Sequence, residues 1–180
     1  MNKAIPAALL MLCAVPSAAL AVGPLSQGYS YFGGSYTEFT YDADTIAGEA
    51  EPSALIGRLG HFMAENIAFE ARYAKALDDD SVEGVDVELD GMHGFYFVGH
   101  LPLGHAGSLY GLVGYTSADI IRAGADDASS GEDSESGVSW GVGGEFYLSP
   151  TLAINAEYTQ YLDETGYDLS ALGLGLRIGF

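Results

Sequence analysis

The chain has 180 residues, with 25 acids against 6 Lys and Arg and a formal net charge of -19. Such a charge repels a phosphate backbone, so nucleic acid is set aside as a partner. With 48% hydrophobic residues and 25 glycines, the chain is too apolar for the disordered class, and its length suits one domain.

Residues 1–21, MNKAIPAALLMLCAVPSAALA, combine a basic start at Lys3, an apolar stretch from Ala4 to Val15 and small residues at Ala19 and Ala21. This pattern predicts a secretory signal peptide cut after Ala21, leaving a domain over 22–180. The single cysteine, Cys13, lies inside it behind Met11 and Leu12. Those neighbours are too bulky for a lipoprotein-processing site, so no lipid anchor is expected. The exported part has no cysteine, which excludes disulfides, thiol catalysis and thiolate metal sites. Beyond the signal there is no apolar run of about 18 residues and hence no transmembrane helix. An exported chain of this kind enters a membrane only as a closed barrel.

Period-two alternation between turn residues predicts eight strands over 29–41, 54–62, 66–77, 87–101, 107–120, 137–148, 151–162 and 169–180. Most are about nine residues or longer, as a tilted strand crossing a bilayer requires. The third segment sets Ile67, Phe69, Ala71 and Tyr73 against Ala68, Glu70, Arg72 and Ala74. In the sixth, Trp140, Val142, Phe146 and Leu148 oppose Ser139, Gly141, Gly143, Glu145 and Tyr147. The seventh opposes Leu152, Ile154, Ala156 and Tyr158 to Asn155, Glu157 and Thr159, and the eighth opposes Leu172, Leu174, Leu176, Ile178 and Phe180 to Gly173, Gly175, Arg177 and Gly179. One face is bulky and apolar, the other small or charged. The parity of the first, fourth and fifth segments stays open, because Gly-Phe-Tyr-Phe-Val-Gly at 94–99 is apolar on both sides.

The connections alternate long and acidic (42–53, 78–86, 121–136, 163–168) with short (63–65, 102–106, Ser149-Pro150). Short periplasmic turns and long extracellular loops give this rhythm. Most of the acids fall in or beside the long connections, so the net charge belongs to the loops. The strand charges Arg58, Glu70, Arg72, Glu145, Glu157 and Arg177 share the small-residue face, where a balanced set of three Arg and three Glu points to a paired network inside a narrow lumen. The acidic connections attract divalent cations without a defined site, since 78–90 matches calcium-loop spacing poorly. Tyr29, Tyr31, Tyr41, Tyr147, Tyr161 and Tyr167 lie near predicted strand ends and read as interfacial girdles.

Three stretches carry a family likeness: SLYGLVGYT (108–116), GVGGEFYLSPTLAINAEYTQYL (141–162) and the terminal LGLGLRIGF (172–180). Together they resemble the small eight-stranded outer-membrane β-barrel proteins of Gram-negative bacteria, the OmpA-like, porin-family barrel domain. The resemblance implies a location in the bacterial outer membrane and contacts with its lipid and lipopolysaccharide. It also implies delivery by the barrel-assembly machinery, with Phe180 in the assembly signal. No peptidoglycan-binding domain follows Phe180, so wall anchoring is not expected.

The fold expected is therefore all-β: a monomeric, eight-stranded antiparallel up-and-down transmembrane barrel. Eight strands leave an interior filled by side chains, without a wide pore. A structural or surface-interaction role through the acidic loops is the first reading. A small ion-conducting barrel is the second and a lipid A-modifying enzyme the third. His61, His93, His100 and His105 are scattered without metal-ligand spacing, and His93 is the one base near the rim serines Ser81 and Ser117. No catalytic residue, cofactor or metal site is assigned.

Overall fold

The computed structural model describes the backbone of residues 24–43, 53–77, 80–82, 85–123, 131–164 and 167–180. Side chains are described over 24–40, 53–77, 91–118, 136–161 and 169–180. The expected signal peptide, 1–21, lies outside these residues.

The strands are β1 (Ser30–Ala43), β2 (Ser53–Ala64), β3 (Ile67–Ala76), β4 (Asp80–Val82), β5 (Val85–Pro102), β6 (Gly107–Ala123), β7 (Gly131–Tyr147), β8 (Leu152–Glu164) and β9 (Tyr167–Gly179). Each pairs antiparallel with its neighbours in the order β3-β2-β1-β9-β8-β7-β6-β5-β4, and a β3–β5 pairing closes the ring. The short β4 takes over the β3 position beside β5, Ser81 standing opposite Asp86. The result is a closed barrel of eight staves, as the alternation predicts.

Closure is sealed where the chain ends meet. Ser30 and Phe180 exchange both backbone hydrogen bonds, at 3.0 and 2.8 Å. Three tight connections occupy the same end of the barrel, here the turn end. Asn66, in the β2–β3 turn, has φ 63°, a left-handed conformation that asparagine tolerates better than most residues. In the β7–β8 turn, Ser149 Oγ accepts the N–H of Leu152 at 3.0 Å. Ahead of β1, the strap Pro24–Gly28 folds across this mouth. Leu25 is buried, its carbonyl accepting the N–H of Asn66 at 2.9 Å, and the N–H of Gly28 donates to the Phe62 carbonyl at 2.8 Å.

The barrel is apolar outside and mixed inside. Leu172, Leu174, Leu176 and Ile178 of β9 point outward with 40–66% exposure, while Arg177 is 3% exposed. The open parities are settled: β5 turns Met92, Tyr96, Val98 and His100 inward, and β6 turns Ser108, Tyr110, Leu112 and Thr116 inward. The girdle reading needs correction. Tyr29, Tyr31 and Tyr161 are buried in the lumen, at 1–3% exposure, because their position at a strand end says nothing of which face they occupy. Tyr147 is half-buried, and the side chains of Tyr41 and Tyr167 lie outside the described residues.

Lumen tyrosines need glycines facing them. A methyl group on Gly60 would collide with the Tyr31 ring, and one on Gly143 with the Tyr110 ring. Each glycine stands directly across the ladder from its tyrosine. Glycine on the inner face is therefore the socket into which a large ring is laid.

A second correction concerns length. Residues 131–136, expected as part of a connection, belong to β7 and pair with β6, Glu132 opposite Ile121 and Asp133 opposite Ile120. Alternation fails to mark a strand there because, beyond the bilayer, neither face has to be apolar. β5, β6 and β7 have 18, 17 and 17 residues. At about 3.4 Å per residue and a tilt of about 40°, a strand of that length rises roughly 45 Å, against an apolar band of about 25 Å. These three strands thus carry a wall of sheet beyond the membrane, at the end away from the tight turns.

Candidate functional site: the packed lumen and the acidic wall

Mid-lumen chemistry centres on Arg72, aimed inward by the strict alternation of β3. Its guanidinium takes Glu157 in two-pronged fashion, Nη1 donating to Oε1 and Nη2 to Oε2 at 2.9 Å. Its Nε donates to Glu70 Oε1 at 2.5 Å. The remaining carboxylate capacity is taken by hydroxyls: Tyr31 donates to Glu70 at 2.6 Å, and Tyr110 and Thr159 donate to Glu157 at 2.9 and 2.8 Å. Arg72 also lies 4.7 Å from the centroid of Tyr96. A buried ion pair stands only when it is further hydrogen-bonded, and here each side-chain nitrogen and oxygen of Arg72, Glu70 and Glu157 has a partner.

Above this knot, Tyr96, Thr116 and Ser139 form a hydroxyl chain with links of 2.6 Å, ending on the Tyr161 carbonyl at 2.7 Å. Below it, Arg58 Nη2 donates to Asn155 Oδ1, and its Nη1 lies 3.6 Å from Glu157. Arg177 pairs with Glu145 at 2.9 Å and reaches the Pro24 carbonyl of the strap at 3.3 Å. All six charges read from the strand pattern are therefore buried on the inner face, each within reach of an opposite charge. The structure pairs Arg177 with Glu145. Phe62 closes the turn end, its ring tilted against those of Tyr31 and His100 at centroid distances of 5.7 and 5.4 Å.

A family model for the outer membrane protein beta-barrel domain matches residues 5–180. The chain belongs to this family. None of the curated proteins matches it in sequence. Among solved structures, it is similar to the attachment invasion locus protein Ail of Yersinia pestis, with 16% identity, TM-score 0.66, and coverage of 86% of this chain and 99% of that one. Ail is also known in complex with the heparin analogue sucrose octasulfate. Neisserial surface protein A matches with 14% identity, TM-score 0.61, and coverage of 86% and 100%. The N-terminal barrel domain of Pseudomonas aeruginosa OprF matches with 17% identity, TM-score 0.58, and coverage of 84% and 98%. At these identities the likeness is one of fold, and family membership places the protein in the bacterial outer membrane.

Within this family barrel the remaining candidates sort by face. Phe180 ends the seam strand, its ring 6.4 Å from Phe32. His61 is exposed and bonded to Ser30 Oγ at 2.9 Å. His93 stands across from Ser117 in the β5–β6 register, on the outward face, with no hydrogen bond joining the two. His100, whose parity the sequence left open, lies inside the lumen, its Nδ1 3.0 Å from Ser108 Oγ and 4.0 Å from Glu145. Among the described residues, no three His, Asp or Glu side chains converge as metal ligands do. The acids of 78–90 fall outside the described side chains, but their backbone shows where several stand: Asp86 and Glu88 lie on β5 opposite Ala123 and Ile121. One lateral row sets Asp42, Asp168 and Asp163 side by side on β1, β9 and β8. Like charges directly opposite one another destabilise a ladder.

Proposed function

We propose that this outer-membrane barrel is a closed, monomeric surface protein whose working part is the acidic wall beyond the membrane, with no wide pore and no catalytic centre. One observation carries the reading: the lumen is spanned by the Arg72–Glu157–Glu70 knot, in which each side-chain nitrogen and oxygen has a partner. Opening a path through it would strand two buried carboxylates. The part free to meet partners is then the long sheet of β5, β6 and β7, with Glu132, Asp133, Glu135 and Asp119 on its extension.

Its charge sets the class of partner. Ail has been solved with a polyanion, but a chain of net charge -19 repels such a ligand. The partners proposed here are cationic surfaces, and the phosphates of lipopolysaccharide through bridging divalent cations. Assembly through the barrel-assembly machinery, with Phe180 as part of its signal, completes the reading.

Planar-bilayer recordings of the refolded protein test closure. A flat baseline is expected, and stepwise openings would establish the ion-conducting reading instead. Calcium-dependent retention on lipopolysaccharide-coated beads tests the wall. Retention is expected to fall severalfold when Glu132, Asp133 and Glu135 are replaced together by Gln, Asn and Gln. Unchanged retention removes the wall from the role. An altered lipid A mass spectrum on overexpression would favour an enzyme.

A further inference from the structure

The wall of β5, β6 and β7 leaves the ring between two bulges. On β5 the ladder with β3 ends at Met92, opposite Ala74, and the register with β6 slips at Asp90. On β8 the ladder with β7 ends at Gln160, opposite Trp140, and the register with β9 slips at Tyr161. An extra residue bends its strand and disrupts the pairing beside it. Here the bulged Tyr161 is buried in the lumen, its carbonyl accepting from Ser139 Oγ at 2.7 Å, and the ladder between β7 and β8 goes no further. β7 continues beside β6 to Gly131, opposite Arg122, while β8 continues beside β9 to Glu164, opposite Tyr167. From Tyr147 to Trp140 the strand rises roughly 20 Å, so the ladder stops near the outer boundary of the apolar band.

The two edges of the wall are finished differently. On the β5 side the chain adds a strand of its own, β4, whose residues 80–82 pair with 85–87. On the β7 side, residues 131–138 pair with β6 alone among the described residues. Alternate residues of an antiparallel strand turn their N–H and C=O groups away from a given neighbour, so half of this run presents its backbone groups away from β6. The run holds neither proline nor lysine, two residues that commonly blunt an edge. β4 shows that a further strand fits on this wall. Charge selects the occupant. Glu132, Asp133 and Glu135 stand on β7 and Asp163 and Glu164 on β8, with no Lys or Arg in 131–138 or 161–164. A second copy of this chain, paired edge to edge, would set acid against acid, which destabilises a ladder. A strand rich in lysine or arginine meets the opposite charge.

We infer that residues 131–138 of β7 form a docking edge for an extended basic segment of a partner protein, which adds to the wall as a further strand. The inference rests on the proposed surface role of the acidic wall and specifies the part of the wall and the form of the partner. The experiment uses the barrel folded in non-ionic detergent at low salt, titrated with an eight-residue peptide of alternating Lys and Val. A second peptide of the same sequence and charge is N-methylated at two adjacent central residues, so that neither of its edges can pair. The plain peptide is expected to bind at least tenfold more tightly, and amides within 131–138 that exchange freely in the barrel alone should become protected from hydrogen exchange. Equal binding of the two peptides, lost in the Glu132→Gln, Asp133→Asn, Glu135→Gln variant, overturns the docking edge and leaves the cationic-surface reading standing. Binding of neither peptide overturns both. Protection that appears on other strands instead overturns the location. Protection of 131–138 that grows with protein concentration in the absence of peptide gives the edge to a second copy and overturns the basic partner.

Discussion

Two layers of one lumen are built from the same residue types and end in different states. Around Arg72, three charged groups and three hydroxyls share every bond between them, and none of their atoms is left over. Around Arg177, paired with Glu145, buried donors (Arg58 Nε, Arg177 Nε, Asn155 Nδ2) and buried acceptors such as Glu145 Oε2 stand without hydrogen-bond partners. The difference lies in the hydroxyls. Tyr31, Tyr110 and Thr159 turn toward the Arg72 layer and saturate its carboxylates, whereas the Tyr147 hydroxyl stays unpaired in the lower one. A balanced charge count thus does not make a satisfied network. The upper layer works as a fastener, while the lower one keeps polar atoms buried without partners.

The contrast is broken most severely by Arg72→Leu, which leaves Glu70 and Glu157 buried without a cation. A loss of about 3–5 kcal/mol is expected, seen as disappearance of the heat-modifiable folded band on a detergent gel. Arg177→Leu removes one pair, the strap contact and a guanidinium 5.0 Å over the Tyr31 ring. About 2–4 kcal/mol should be lost, and an unchanged urea midpoint in detergent would show that the lower layer does not stabilise the barrel. Gly60→Val drives the Tyr31 ring out of its socket and with it the bond to Glu70. The cost is about 1–3 kcal/mol of overpacking, measured by the same midpoint. Tyr31→Phe keeps the ring and removes the hydroxyl alone, for about 1–2 kcal/mol. A Tyr31→Phe loss equal to that of Gly60→Val would assign the effect to the bond and not to the socket.

The staves and their closure are legible in the alternation, and so are the inward charges, because a lone arginine among glycines and leucines marks its own face. Partner choice is not. Arg72 and Glu157 are 85 positions apart, and only the closed ring brings β3 across from β8. The inward tyrosines are hidden for a different reason. Phe95, Tyr96 and Phe97 are all bulky, so nothing in the row separates the ring that bonds to Thr116 from those that meet lipid. His100 is hidden with them. The prolongation of β7 past the membrane is invisible because water on both faces removes the pattern, while the backbone ladder with β6 persists.

The strap at the turn end fixes an order of events. Pro24 and Arg177 lie 153 positions apart, so their bond can form only after the last stave has reached the first. Leu25 in turn is held by the β2–β3 turn, which puts three distant parts of the chain at one point. Protection of this short segment from protease is therefore a clock: it starts when the ring shuts, and it would time insertion in a way that strand content alone does not.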